Sequence, residues 1–305
     1  MQDPDPDFAP LVGVADVIAP GLRRVLAPNP SPMTHRGTNT YMLGESGLAV
    51  IDPGPADARH LAAILAAVGP GQHISHILVT HAHLDHSPLA RALAQATGAR
   101  VHGFGDARAG RSAVMETLAA TGLAGGGEGV DHSFAPDVVL ADGDSVTGDG
   151  WQVRALHTPG HFGNHLSFLW QDAVFSGDLV MGWATSLVSP PDGDLTDFMA
   201  SCRRVAALAP RVAYAGHGAP ITDPVARLDW LIAHRLGREA EILAALDDGP
   251  ATAADLARRI YTTTPDALIP AATRNVFAHL IDLHGKSRVT ATPSLAVDAQ
   301  FSRRD

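Results

Sequence analysis

Residues 76–91 read HILVTHAHLDHSPLAR. The apolar run Ile77-Leu78-Val79 suits a buried strand, yet it leads straight into His81, His83, Asp85 and His86. Alternation along an extended chain puts His81 and His83 on one side, a pair suited to one divalent ion. Asp85 and His86 arrive just as Ser87-Pro88 opens a helix, so they can turn toward a second ion. Imidazole and carboxylate ligands without thiolates suit Zn²⁺, with iron or manganese as alternatives.

The same design recurs along the chain. LAVIDPG (48–54), VRALHTPGH (153–161), DAVFSGD (172–178) and RVAYAGHG (211–218) are apolar runs that also end in His or Asp beside Gly or Pro. Polar residues gathered at strand ends, where the chain turns, build a site on a rigid scaffold. Histidines that merely satisfy a core would be scattered. His60, His73, His76, His102, His132, His234, His279 and His284 have no such pattern and read as surface or packing residues.

The chain has 305 residues, 46% of them hydrophobic, with mean hydropathy +0.06. That is enough for one large domain and a small one. No apolar run approaches the ~18 residues of a membrane-spanning helix. The acidic, Pro-rich start MQDPDPDFAP lacks the features of a signal peptide, so residues 1–10 are expected to lie outside the fold and the protein to be cytoplasmic. The single cysteine, Cys202, excludes an intrachain disulfide. A net charge of −10 argues against a general nucleic-acid binder. No phosphate-binding glycine loop, Ser/His/Asp arrangement or catalytic cysteine pattern is present.

From about Gly21 to Gly218 short β-runs alternate with helical stretches. Strands are expected at 22–26, 40–44, 48–51, 74–79, 99–103, 151–156, 166–170, 173–175 and 212–215. Helices are expected at 57–68, 87–97, 107–121 and 194–208, the first capped by Asp57 and stopped by Gly69-Pro70-Gly71. GLAGGGEG (122–129) reads as a flexible connector. A boundary at 223/224 divides a catalytic domain, 1–223, from a smaller one, 224–305. In the latter, helices at 225–246, 251–260 and 271–284 precede SRVTATPSLAV, a small hairpin, which suggests a winged-helix-like module; Thr252 and Asp255 resemble a capping box. Ten basic and ten acidic residues balance in 224–305, so packing or substrate shaping is a better role for it than reading DNA.

THAHLDH (80–86) resembles the T-H-x-H-x-D-H signature of the metallo-β-lactamase fold superfamily, and TPGH, FSGD and GHG follow in that superfamily's order. The resemblance covers about residues 20–223. It implies an α/β fold, an αββα sandwich with metals at one edge. GTNTYMLGESGLAVIDPG, TPGHFGNHLSFL and the helical tail look like the lactamase-beta-2-like branch, with glyoxalase II a more distant hydrolytic cousin. That branch includes single-strand RNA endonucleases and thioesterases of polyketide synthesis.

Carried over position by position, the resemblance gives one metal His81, His83 and His161, and the other Asp85, His86 and His217, with Asp178 bridging. Asp52 resembles the buried aspartate that orients a ligand histidine. His83 stands where the oxygen-reducing diiron branch uses glutamate, and the bridging Asp178 is absent from genuine zinc β-lactamases. The resemblance therefore implies a dinuclear hydrolase, with two Zn²⁺ about 3.5–4 Å apart sharing a bridging hydroxide. Asp85 would also orient that nucleophile or accept its proton. His165 is a candidate donor to a developing oxyanion, facing substrate or set behind the ligands, or else a histidine at the start of strand 166–170 that points at solvent or is satisfied by backbone. Asn39 is a candidate at the site mouth, and Trp183, with Met181 and Leu187, a candidate substrate wall.

The leading function is hydrolysis of a small thioester or ester. A single-strand RNA endonuclease is the alternative, and Arg23, Arg24, Arg36, Arg203, Arg204 and Arg274 are the cations that could line its channel. A DNA-binding regulator with a sensory metal site ranks third. The expected partner is thus a small molecule, or else single-stranded RNA, with no membrane; a homo-oligomer is left open.

Overall fold

The computed structural model describes residues 6–125 and 129–304; the first half of the N-terminal stretch (1–5), the middle of GLAGGGEG (126–128) and residue 305 lie outside them. One sheet has seven strands in sequential order: β1 (Ala15–Ala19), β2 (Leu22–Leu26), β3 (Asn39–Leu43), β4 (Gly47–Ile51), β5 (His73–Leu78), β6 (Arg100–Gly103) and β7 (Val138–Val139). It is antiparallel through β4 and parallel from β4 to β7. The second has five, from β8 (Ser145–Thr147) through β9 (Gln152–His157), β10 (Leu166–Trp170) and β11 (Ala173–Gly177) to β12 (Val212–Ala215).

Alternation explains the layering. On β4, Ala49 and Ile51 join Phe168 and Phe175 of the other sheet, whereas Leu48 and Val50 pack with Ile64 and Leu93 of the helices outside. Those helices are α1 (Ala58–Ala66) and α2 (Leu89–Thr97); α3 (Ala113–Ala120) follows β6. On β11, Val174 packs outward onto Phe198, Cys202 and Val205 of α4 (Leu195–Ala207). Successive side chains leave a strand on opposite faces, so fully apolar strands must be covered on both. The result is the expected αββα sandwich.

The C-terminal part has α5 (Pro224–Leu246), α6 (Ala253–Ile260), α7 (Ile269–Gly285) and the hairpin β13 (Val289–Thr292) and β14 (Gln300–Arg303). The capping box at Thr252 and Asp255 is present. The boundary expected at 223/224 falls where α5 begins, yet α5 serves both cores. Leu228 and Leu231 pack under α4, and Ile242, Leu243 and Leu246 pack with α6 and α7. Met115 and Leu118 of α3 also belong to the C-terminal core.

Four local expectations need correction. Phe8, expected outside the fold, is buried, with the Arg24 guanidinium 4.7 Å from its ring centroid and His35 stacked on it. The helix expected at 107–121 starts only at Ala113, where Ser112 caps it. The hairpin closes with 300–303 rather than within 287–297, because Pro293 ends β13 and Phe301 supplies the next large buried side chain. Strands β1, β7 and β8 were not anticipated; two of them are very short, and β1 is largely exposed.

Candidate metal centre

Each strand that ends in a polar residue delivers it to the same sheet edge: Asp52 after β4, His81 to His86 after β5, His161 after β9, Asp178 after β11 and His217 after β12. These segments meet closely. Adding a Cβ to Gly216 would bring it within 2.4 Å of Asp178 Oδ1 and 2.7 Å of His86 Cε1, so only glycine lets this loop approach. Asp52 takes a left-handed φ of 51°, strain that a tightly packed site can hold.

All seven expected ligands are buried and converge. His81, His83 and His161 form one group, and Asp85, His86 and His217 another; His81, His86 and Asp178 overlap both. His83 Nδ1 lies 2.9 Å from His81 Nε2 and 3.1 Å from His161 Nε2. Nitrogens bound to one tetrahedral zinc stand about 3.3 Å apart. Asp178 reaches both sides, with Oδ2 3.7 Å from His161 Nε2 and 3.4 Å from His217 Nε2.

The outward ring nitrogens are tied down. His81 Nδ1 meets Thr80 Oγ1 (3.0 Å), His86 Nδ1 meets Asp52 Oδ2 (2.9 Å), His161 Nδ1 meets Leu187 O (2.7 Å) and His217 Nδ1 meets Gly37 O (3.2 Å). Such contacts aim the Nε2 lone pairs inward. Asp52 also accepts from the backbone and hydroxyl of Thr80, both at 2.7 Å, and so binds two ligand histidines into one frame.

Charge completes the argument. Burial, reinforced by neighbouring imidazoles, holds His81 well below the ordinary histidine range, and burial with His161 takes His83 down to about 3. Burial likewise lowers His161. These three are neutral, as ligands must be. Burial also opposes charge on His86 and His217, but Asp85 and Asp178 outweigh it, lifting His86 well above its usual value and His217 to about 10. Asp85 stays ionised with a pKa near 2 although burial pushes it up, because His86 and His217 hold it down. Even so, Asp85 Oδ1 and Asp178 Oδ1 are buried without a hydrogen-bond partner. Inward lone pairs and unmet carboxylate oxygens fit divalent cations.

Above the ligands is a cavity of about 110 Å³. It is lined by His83, Asp85, His161 and Asp178 together with Pro32, Met33, Met181, Trp183, Ala184, Thr185 and Leu187. Trp183 stacks on His35 with centroids 5.0 Å apart. Met33 was missed in the sequence, as were the carbonyls of Gly37 and Leu187, which have no residue-type signature.

Two expected site residues point elsewhere. His165 is fully buried behind the ligands: its Nδ1 meets Thr158 Oγ1 at 2.9 Å and its Nε2 accepts from the Asp178 backbone N–H at 3.2 Å. Both nitrogens are used, so it braces Asp178 and is not placed to donate to an oxyanion. Asn39 is also fully buried, and its Nδ2 donates to Ala215 O (3.0 Å) and Gly218 O (2.9 Å), clamping the His217 turn rather than lining the mouth.

Compared with known proteins, residues 33–217 match the metallo-beta-lactamase superfamily. The chain belongs to that superfamily. Its members are typically hydrolases and generally bind two metal ions. Residues 252–296 match the beta-lactamase associated winged helix domain. The chain is 33% identical over 292 residues to a beta-lactamase-like protein 2 homolog of Drosophila melanogaster, covering 91% of this chain and 92% of that one. It is 34% identical over 270 residues to an atrochrysone carboxyl ACP thioesterase of Aspergillus fumigatus, covering 82% and 76%. A metallo-beta-lactamase family protein of Thermus thermophilus superposes with a TM-score of 0.76 at 27% identity, over 94% of this chain and all of that one. Among the described residues no helix is long and apolar enough to cross a membrane.

Proposed function

We propose that this superfamily member is a dinuclear, zinc-dependent hydrolase of small acyl thioesters or esters. The observation that carries the reading is the cavity: candidate metal-ligating side chains share its lining with mostly apolar ones, and no arginine or lysine is among its described lining residues. A thioester needs that division, with its carbonyl at the ligands and its acyl chain on the wall. The similarity to an ACP thioesterase supports the same substrate class.

The arginines considered for an RNA channel are occupied elsewhere or lie outside the cavity. Arg23 binds Ala67 O and Gln72, Arg24 pairs with Asp16, Arg36 holds Phe8 O, Arg204 pairs with Asp142 and Arg274 holds Ala124 O. Arg203 is exposed on α4.

His81, His83 and His161 would hold one ion, Asp85, His86 and His217 the other, and Asp178 would touch both. Bound there, two divalent cations would lower the pKa of a water and polarise the scissile carbonyl. The chain's own part is orientation and proton handling. Asp85 Oδ1, with no protein partner, is available to take the proton of the attacking water. Oxygen adds to the carbonyl carbon, the C–S bond breaks, and the thiolate leaves with that proton, giving an acid and a thiol. Met33, Met181, Trp183 and Leu187 keep bulk water from the acyl chain. The lone, buried Cys202 accords with work in the cytoplasm.

The test uses zinc-loaded protein, a panel of acyl-pantetheine thioesters with thiol release as readout, and a labelled single-stranded RNA in parallel. Thioester hydrolysis should fall at least roughly 100-fold in His161→Ala while the RNA stays intact. RNA cleavage abolished by the same substitution, with thioesters untouched, would overturn the reading.

A further inference from the structure

The segment 179–193, between β11 and α4, has no strand or helix, yet most of it is buried. Irregular backbone removed from water must find its hydrogen-bond partners outside a sheet or helix. Here the C-terminal helices supply many of them. Arg227 donates from Nε to Met181 O (2.8 Å) and from Nη2 to Ala184 O (2.7 Å). Arg235, itself buried, donates from Nη2 to Ser186 O and from Nη1 to Asn275 Oδ1 (3.1 Å). That same oxygen of Asn275 accepts from Val188 N–H at 3.2 Å. Arg274 donates to Ser189 Oγ (3.2 Å) and Pro190 O (3.4 Å).

What these side chains hold is the apolar wall of the cavity, since Met181, Trp183 and Leu187 lie in the grasped segment. The same segment supplies Leu187 O, which fixes the ring of His161. The two ends of the connection are far apart in sequence: Arg235 and Ser186 are separated by 49 residues, Asn275 and Val188 by 87.

We propose that α5 and α7 are the mount of the substrate wall. Arg227, Arg235, Arg274 and Asn275 are positioning residues that set which acyl group the wall accepts and steady the ring of His161. The acyl part rests on the thioester reading above; the mounting of Trp183 does not. A shift of the C-terminal module therefore alters substrate fit more than it alters the reacting centre, because most ligands hang from the sandwich strands and only Leu187 O belongs to the wall. This gives the winged-helix-like module a purpose in which no nucleic acid takes part.

The test compares full-length, zinc-loaded wild-type protein with Arg227→Gln, Asn275→Ala and Arg227→Lys. Acrylamide quenching of Trp183 is isolated by subtracting the signal of Trp183→Phe versions of each. Exposure of Trp183 to quencher should rise about twofold in Arg227→Gln and Asn275→Ala, with KM for the best acyl length up roughly tenfold and kcat within about threefold. Arg227→Lys, which keeps one donor, should recover part of both. Wild-type quenching in folded variants would overturn the proposal. So would a uniform loss of kcat and KM at every acyl length that merely tracks lost stability. If wild-type protein hydrolyses no thioester, Trp183 quenching still decides the mount, and the failure then belongs to the proposed function. Should Asn275→Ala not fold, Arg227→Gln carries the decision alone.

Discussion

Two buried charged clusters touch the segment 179–190, and they solve the same problem in opposite ways. At the sheet edge Asp85 and Asp178 are buried beside histidines, and each keeps one carboxylate oxygen without a hydrogen-bond partner. At the α5–α7 junction Arg235 is equally buried, but neutral oxygens of Ser186 and Asn275 take a donor from each of its terminal nitrogens, the Phe198 ring centroid lies 5.3 Å from its guanidinium carbon, and Nε alone is left without a partner. Burying charge costs several kcal/mol per ion unless something compensates. The first cluster is built for a removable counter-charge, the second for a permanent fit. A site that must exchange water and substrate leaves anionic oxygens unmet at a cavity; a joint that must not move spreads its charge over carbonyl oxygens and a ring of the same chain.

The sharpest way to break this contrast is Asp178→Asn. Losing the carboxylate that touches both ligand groups should lower hydrolysis by about three orders of magnitude and reduce bound zinc per chain. Hydrolysis and zinc content measured together check it; unchanged zinc would mean the cluster does not need its negative charge. Chelation comes next. If the ions are present at about 1,000 times their dissociation constant, removing them should cost about 4 kcal/mol of stability per ion, read as a drop in thermal midpoint that added zinc restores. Arg235→Met should cost about 3 kcal/mol in urea unfolding, because Ser186 O loses its side-chain donor inside the protein and Asn275 Oδ1 keeps only the Val188 N–H. Chelator should leave that penalty unchanged, which separates the two clusters.

His60 gives a pH test away from both. Burial lowers its pKa from 6.5 to about 4, and its Nε2 lies 2.8 Å from Thr40 Oγ1. The folded state prefers the neutral ring, so its stability is fully present above pH 6.5 and falls as pH drops toward 4. The loss reaches about 2 kcal/mol by pH 5. Urea midpoints at pH 7 and pH 5 should converge in His60→Gln. Smallest of all, Arg204→Ala removes an exposed pair with Asp142 and should cost less than about 1 kcal/mol.

The convergence of the candidate ligands was legible because metal chemistry restricts residue types and strand ends restrict positions. His81 to His86, His161, Asp178 and His217 each follow an apolar run, and a buried strand can only hand its polar residues to an edge. His165 and Asn39 were misplaced for a related reason. Nearness in sequence to a ligand tells nothing of whether a side chain faces the cavity or the packing behind it. The long helices and the caps at Asp57 and Thr252 were readable from local signals, since capping is satisfied within a few residues. The starts of α3 and of β14 were not, because short elements draw their stability from distant neighbours.

The amino-acid sequence alone determined the superfamily resemblance, the strand-and-helix alternation and the residues able to bind metal, all of which depend on local periodicity and residue chemistry. The tertiary structure decided which imidazole nitrogen faces inward, what completes the cavity wall, and that α5 belongs to two cores at once. Those features depend on backbone carbonyls and on contacts between residues dozens of positions apart, which no local pattern encodes.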